Sequence, residues 1–161
     1  MPDSLQLGTR TIEDPDAMNA LGLELGRHLR AGDVLVLTGL LGAGKTTLTR
    51  GIGAGLGVRG PVTSPTFVLA RTHPSIVGGP PLVHVDAYRL SSALELDDLD
   101  IDFVHSVVVV EWGAGMLDGV TDSWLEVTIE RPQGGAEHDL DDDLVEPRIV
   151  ALEGYGPRWR A

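Results

Sequence analysis

The sequence predicts an α/β fold, a three-layer sandwich around a mostly parallel central sheet with antiparallel C-terminal strands. Three observations carry that prediction. Short aliphatic runs alternate with helix-period segments, the pattern of parallel strands covered on both faces. Two of those runs, Leu82–Asp86 and Ser106–Glu111, close on a carboxylate. A third run feeds directly into a glycine-rich segment that opens a helical pattern.

Asp14 ahead of Pro15 reads as an N-cap and first helical position. Met18, Leu21, Leu25 and Leu29 then recur at spacings of three and four, an amphipathic helix ending near Gly32. Asp33–Thr38 (DVLVLT) is a buried strand, followed at once by the glycine-rich segment. The next helix begins near Gly44 and runs to about Leu56, with Gly57 as its stop. Gly51, Gly53 and Gly55 weaken that helix, so packing or a ligand must hold it. Residues 58–67 (VRGPVTSPTF) form a loop, Val68–Arg71 a strand, and residues 73–81 a Pro/Gly turn region before the strand Leu82–Asp86. Ser92 with Glu95 fits a capping box opening a short helix, whose acidic stretch faces water. Leu125, Val127 and Ile129 alternate with Glu126, Thr128 and Glu130, which predicts an antiparallel strand over Trp124–Glu130 with one wet face. An acidic loop insert, about residues 134–143, precedes a last strand, Arg148–Leu152. No repeat and no linker divides the chain, so residues 1–161 are expected to form one domain.

Composition removes several function classes. Aliphatic runs such as Val107–Val110 fall far short of the ~20 residues that span a bilayer. The first residues, Met1-Pro2-Asp3-Ser4, lack a secretory pattern, and there is no cysteine for disulfides or thiolate metal sites. The five histidines stand at no metal-ligand spacing. A cytoplasmic protein, monomeric on its own, is the expectation. Twenty-four acidic against twelve basic residues give a formal net charge of −12, which repels a polyanion. Direct nucleic-acid binding, RNA included, is therefore not expected; in a nucleic-acid pathway a partner would supply the basic surface.

Lys45 is the only lysine among those twelve cations, and it lies in the glycine-rich segment. Gly39, Gly44, Lys45 and Thr46 match G-x-x-x-x-G-K-[ST], the phosphate-binding P-loop. Its backbone N–H groups, from Leu41, Gly42, Ala43, Gly44, Lys45, Thr46 and Thr47, are suited to cradle phosphates at a helix N-terminus. Lys45 would bridge the β- and γ-phosphates and the Thr46 hydroxyl would ligate Mg2+. The bland alternative is a chance glycine-rich turn among 21 glycines; the strand before, the helix after and the placement of the single lysine weigh against it. Asp86 and Glu111 should both emerge at the carboxyl edge of the sheet, where ligands bind. Spacing does not say which would hold metal and which would position water. Ser64 and Thr66 stand where a γ-phosphate sensor is common, or are ordinary turn residues around Pro65. An Asn-Lys-x-Asp guanine motif is impossible with one asparagine, Asn19, and one lysine already placed, so ATP is the expected nucleotide.

Together, Gly39–Thr47, then Ser64-Pro65-Thr66-Phe67, then His84-Val85-Asp86-Ala87-Tyr88-Arg89-Leu90, then Val110-Glu111-Trp112 resemble the TsaE (YjeE) family in order and spacing. The resemblance runs from about residue 12 to 130. It implies a P-loop NTPase-like domain, a bacterial ATPase subunit of the machinery that makes N6-threonylcarbamoyladenosine at adenosine 37 of tRNAs reading ANN codons. It further implies TsaD and TsaB as partners, with ATP hydrolysis resetting their complex. Carried over, Lys45 and the loop bind phosphates, Thr46 and Glu111 hold magnesium, Asp86 acts in hydrolysis or its switching, and Ser64 and Thr66 belong to a switch-like segment. Trp112 is a family position beside the site, or a packing aromatic; Tyr88 and Arg89 face partner or nucleotide.

Two departures stand out. Leu40 occupies a position usually acidic in the family, and the acidic insert interrupts the region where an arginine usually follows the antiparallel strand, leaving Arg148. Asp14–Asp16 is a candidate wall for adenine. Two rival readings share the loop. A small-molecule kinase would need a cationic lid, yet Arg131 is the only cation between Arg89 and Arg148. A nucleotide-gated interaction module would hydrolyse ATP only incidentally.

Overall fold

The computed structural model describes residues 7–39, 44–58, 70–86, 101–111, 121–130 and 147–159. Among them, seven strands form one sheet: β1 (Gly8–Ile12), β2 (Val34–Thr38), β3 (Ala70–His73), β4 (Leu82–Asp86), β5 (Val107–Glu111), β6 (Trp124–Glu130) and β7 (Arg148–Tyr155). Two helices, α1 (Pro15–His28) and α2 (Lys45–Leu56), flank β2 in sequence. The strand order is β1-β7-β6-β2-β5-β4-β3. The central four strands, β6-β2-β5-β4, are parallel, and antiparallel pairs close both edges.

Both helices begin as the sequence dictates. Asp14 caps α1 by accepting from the Ala17 N–H at 2.8 Å, with Pro15 in the first turn. The stop at Gly57 is also as read: it takes φ 78°, a left-handed conformation natural to glycine, and its N–H closes on the Gly53 and Ala54 carbonyls. The earlier end of α1, at His28 rather than near Gly32, has a local cause. Asp33 turns back to accept from the Arg30 N–H, so its side chain closes a turn instead of starting the strand.

The sheet has an unlike pair of faces. Leu35, Leu37, Val107, Val109, Leu125 and Val127 face both helices and form the main core with Leu21, Leu25, Leu48 and Ile52. On the opposite face Val34, Val36, Val83, Val85, Val108 and Val110 meet Ile101, Phe103 and Trp124. The helix expected to open at Ser92, and the acidic insert, lie outside the described residues. The glycines of α2 are held by packing. A Cβ on Gly51 would stand 2.4 Å from the Asn19 carbonyl oxygen, and one on Gly22 would stand 2.3 Å from that of Leu48. The two helix backbones thus touch where ordinary side chains would separate them.

Four further readings of the sequence need correction. Strand β1 was not anticipated: Gly8-Thr9-Arg10-Thr11-Ile12 has one buried residue, Ile12, and is held at the edge by pairing with β7. Strand β6 pairs antiparallel with β7 as expected, but parallel with β2. Alternation reports which face is dry, not strand direction. Strand β3 runs two residues past Arg71, where it was read to end, because His73 pairs with Leu82 and buries its ring. Strand β7 continues to Tyr155 because Trp159, in a short 3-10 turn, packs against Gly154.

The His73 ring is buried, and its Nε2 has no hydrogen-bond partner among the described residues. Burial, with nearby His84 and Arg71 adding to it, pushes the His73 pKa below the usual histidine range. The unfolded chain therefore binds this proton more tightly. The stability linked to His73 is fully present above the ordinary histidine value and is lost as pH falls through the lowered one. Thermal melts between about pH 8 and about pH 5 should show stability falling on the acid side, and His73→Gln should flatten that slope.

Candidate nucleotide-binding site

The site is built where three parallel strands end. Strand β2 leads through Gly39 to α2, while β4 and β5 end on Asp86 and Glu111, which are direct partners across the ladder. On its other side Glu111 stands opposite Leu37 of β2. Two carboxylates and the head of α2 thus share the carboxyl edge of the sheet, the edge at which α/β sheets bind ligands.

Gly44 caps α2 in a left-handed conformation, φ 113°, and offers no side-chain acceptor to the first turn. No acidic residue lies in that turn either. A helix start ordinarily receives an oxygen from its cap residue; here neither the cap residue nor the first turn of α2 supplies one from an acidic or capping side chain. The Met18 side chain would meet a Cβ on Gly44 at 3.2 Å, so the first turn of α1 lies beside the start of α2.

Lys45 is 7% exposed, and its Nζ donates to the Gly39 carbonyl at 2.5 Å. Burial lowers its pKa below the usual lysine range, against the opposing pull of Glu111 and then Asp86. The cation thus lies within electrostatic reach of the two carboxylates predicted to work with it. Thr46 and Thr47 are half-buried in the first turn of the same helix, and Thr49 closes on the Lys45 carbonyl at 2.7 Å. Hard divalent cations take oxygen ligands, and among the described residues Thr46, Asp86 and Glu111 bring side-chain oxygens to this edge. Among the described residues no group of three or more His, Cys, Asp and Glu side chains is arranged to hold a metal by itself. A cation at this edge needs a hydroxyl, water or ligand phosphate to complete its shell.

The structure brings together Gly44, Lys45, Thr46, Asp86 and Glu111. Leu41, Gly42 and Ala43, with Leu40, lie outside the described residues, as do Ser64, Thr66, Tyr88, Arg89 and Trp112. Arg148 opens β7 opposite Ile12, at the same edge but two strands from β2. One site neighbour was missed by sequence reading. His84, wholly buried, is hydrogen-bonded through Nε2 to Glu111 Oε2. The available signal was a lone polar side chain inside an aliphatic strand, two residues before Asp86 and hence on the same face.

Comparison with known proteins decides the family. Residues 12–138 match the model of "Threonylcarbamoyl adenosine biosynthesis protein TsaE". The chain belongs to the TsaE family. A relative from Streptomyces coelicolor is 56% identical over 145 residues, covering 88% of this chain and 93% of its own. One from Bacillus subtilis is 37% identical over 150 residues, 91% of each chain. Both are named tRNA threonylcarbamoyladenosine biosynthesis protein TsaE. The crystal structure of Bacillus subtilis YdiB superposes with a TM-score of 0.63 at 26% identity, covering 96% of this chain and 90% of that one. The TsaE match spans every strand from β2 to β6, and with them Lys45, Thr46, Asp86 and Glu111. No helix among the described residues is long and apolar enough to cross a membrane.

Proposed function

We propose that this chain is a magnesium-dependent ATPase subunit for tRNA threonylcarbamoyladenosine biosynthesis, slow alone and driven by TsaD and TsaB in the cytoplasm. One observation carries the ATPase reading: Asp86 and Glu111, in register at adjacent strand ends, both act on a buried P-loop lysine. The relatives' names support the pathway.

The residues fit the groups they would hold. A start of α2 with no capping side chain and no acid in its first turn suits an anion, and Lys45 would exchange the Gly39 carbonyl for phosphate oxygens. Thr46 and Glu111 would hold magnesium, which when bound neutralises phosphate charge as the terminal bond breaks. Asp86 would orient the attacking water or couple its arrival to partner contact. The buried, low-dielectric setting of Lys45 makes its charge more effective than one in water. A net charge of −12 suits a subunit that docks on basic partners rather than on tRNA.

Phosphate release from ATP, with and without purified TsaD and TsaB, tests this reading. Release should be slow alone and faster with the pair, and Glu111→Gln should lower it by about 100-fold, the scale of losing one preorganised transition-state contact. Transfer of phosphate to a small metabolite in preference to water would favour the kinase instead. Full pathway function in Glu111→Ala and Asp86→Ala variants that no longer hydrolyse ATP would favour the gated module.

A further inference from the structure

Strand β4 reads Leu82-Val83-His84-Val85-Asp86, and its central residue is as buried as the aliphatic ones around it. The register explains what that histidine reaches. His84 stands opposite Val109 of β5, and Glu111 lies two residues farther along on the same face. That diagonal is within reach of long side chains, and here it closes a hydrogen bond from His84 Nε2 to Glu111 Oε2. If Glu111 carries its charge it can only accept, and Nε2 is then the donor. The other ring nitrogen, Nδ1, is buried with no hydrogen-bond partner among the described residues. Leaving that buried nitrogen unpaired is unfavourable, so what histidine adds at this place is the bond to Glu111 and not the filling of the core. An aliphatic side chain would fill the same place without that penalty.

We propose that His84 is a positioning residue: by tying down one oxygen of Glu111, it fixes the carboxylate and presents the other oxygen to magnesium. The inference rests on the magnesium–ATP reading and adds to it the residue that orients the metal-holding acid. Glu111 has three side-chain torsions and sits at a strand terminus, where an untethered carboxylate would sample several orientations. Its side chain is only 11% exposed, so water cannot readily replace a lost donor. Partners that orient metal ligands change metal affinity by about 10–100-fold when removed.

Two variants of similar polarity separate orientation from packing. The amide nitrogen of His84→Gln can reach the position of Nε2, whereas that of His84→Asn is too short. ATP affinity would be measured in EDTA and across a magnesium series for both variants and wild type. Affinity in EDTA should be equal in all three. The magnesium concentration for half-effect should rise about 10-fold or more in His84→Asn and return near the wild-type value in His84→Gln. In the ligand-free protein, long-range 1H–15N NMR should find the hydrogen on Nε2. Unchanged magnesium dependence in His84→Asn, equal impairment of both variants, or a bare Nε2 would overturn the proposal while leaving the ATPase reading intact. If wild type binds ATP without any magnesium effect, the ATPase reading itself fails and the proposal with it, whatever the NMR shows of the His84–Glu111 contact.

Discussion

Replacing Lys45 with methionine should weaken ATP binding on the order of 100-fold or more and leave the chain folded. The affinity estimate comes from two charge-assisted phosphate contacts at about 1.5–3 kcal/mol each, with about 1.4 kcal/mol per tenfold change. The stability side follows from burial. Lys45 is held below the usual lysine range first by desolvation, which Glu111 and Asp86 offset only in part. The folded chain thus binds this proton less tightly than the unfolded chain. Between the lowered value and the ordinary one, unfolding takes up a proton, so stability rises with pH across that alkaline window. At neutral pH the buried ammonium works against folding, and methionine, of similar length and uncharged, removes that strain. The melting temperature of the variant without ligand should equal or exceed that of wild type at neutral pH. A fall in melting temperature alongside lost binding would mean that Lys45 holds the fold rather than the phosphate.

The largest expected stability effect is at Gly22. In an exposed helix, Gly→Ala stabilises by about 1 kcal/mol. Here the added Cβ would lie 2.3 Å from the Leu48 carbonyl oxygen and 2.8 Å from the Gly51 Cα, both backbone atoms that cannot rotate away. Gly22→Ala should therefore destabilise by about 1–3 kcal/mol, the usual range for overpacking, against the sign that propensity predicts. Chemical denaturation checks it. The change should also reach the site, because pushing α1 and α2 apart moves the helix whose first residue is Lys45. Gly51→Ala faces the same gap from the other side, with a Cβ 2.9 Å from the Gly22 Cα. The double variant should cost less than the two singles added, since one separation of the helices relieves both clashes.

These glycines mark the boundary of what the sequence made legible. That Gly51, Gly53 and Gly55 needed outside support followed from propensity; that Gly22 and Gly26 of α1 supply it depends on two helices meeting face to face, which no local pattern encodes. The strand and helix that flank the glycine-rich motif were readable because the motif, the aliphatic run and the caps are all local. Asp86 and Glu111 could be placed at one sheet edge, but not side by side, until the order β2-β5-β4 was known. The direction of β6 was hidden because alternation is blind to it. Strand β1 escaped because Thr9, Arg10 and Thr11 present no apolar face and are ordered by pairing with β7. His84 was visible only as a histidine in a strand; its role depends on a cross-strand diagonal.

Calorimetric titration of the purified chain with ATP, in magnesium and again in EDTA, tests the central claim most directly. The expected result is saturable heat in magnesium, weaker affinity in EDTA, and neither with Lys45→Met. Absence of saturable heat from the wild-type chain in magnesium, both alone and with TsaD and TsaB present, would contradict the account.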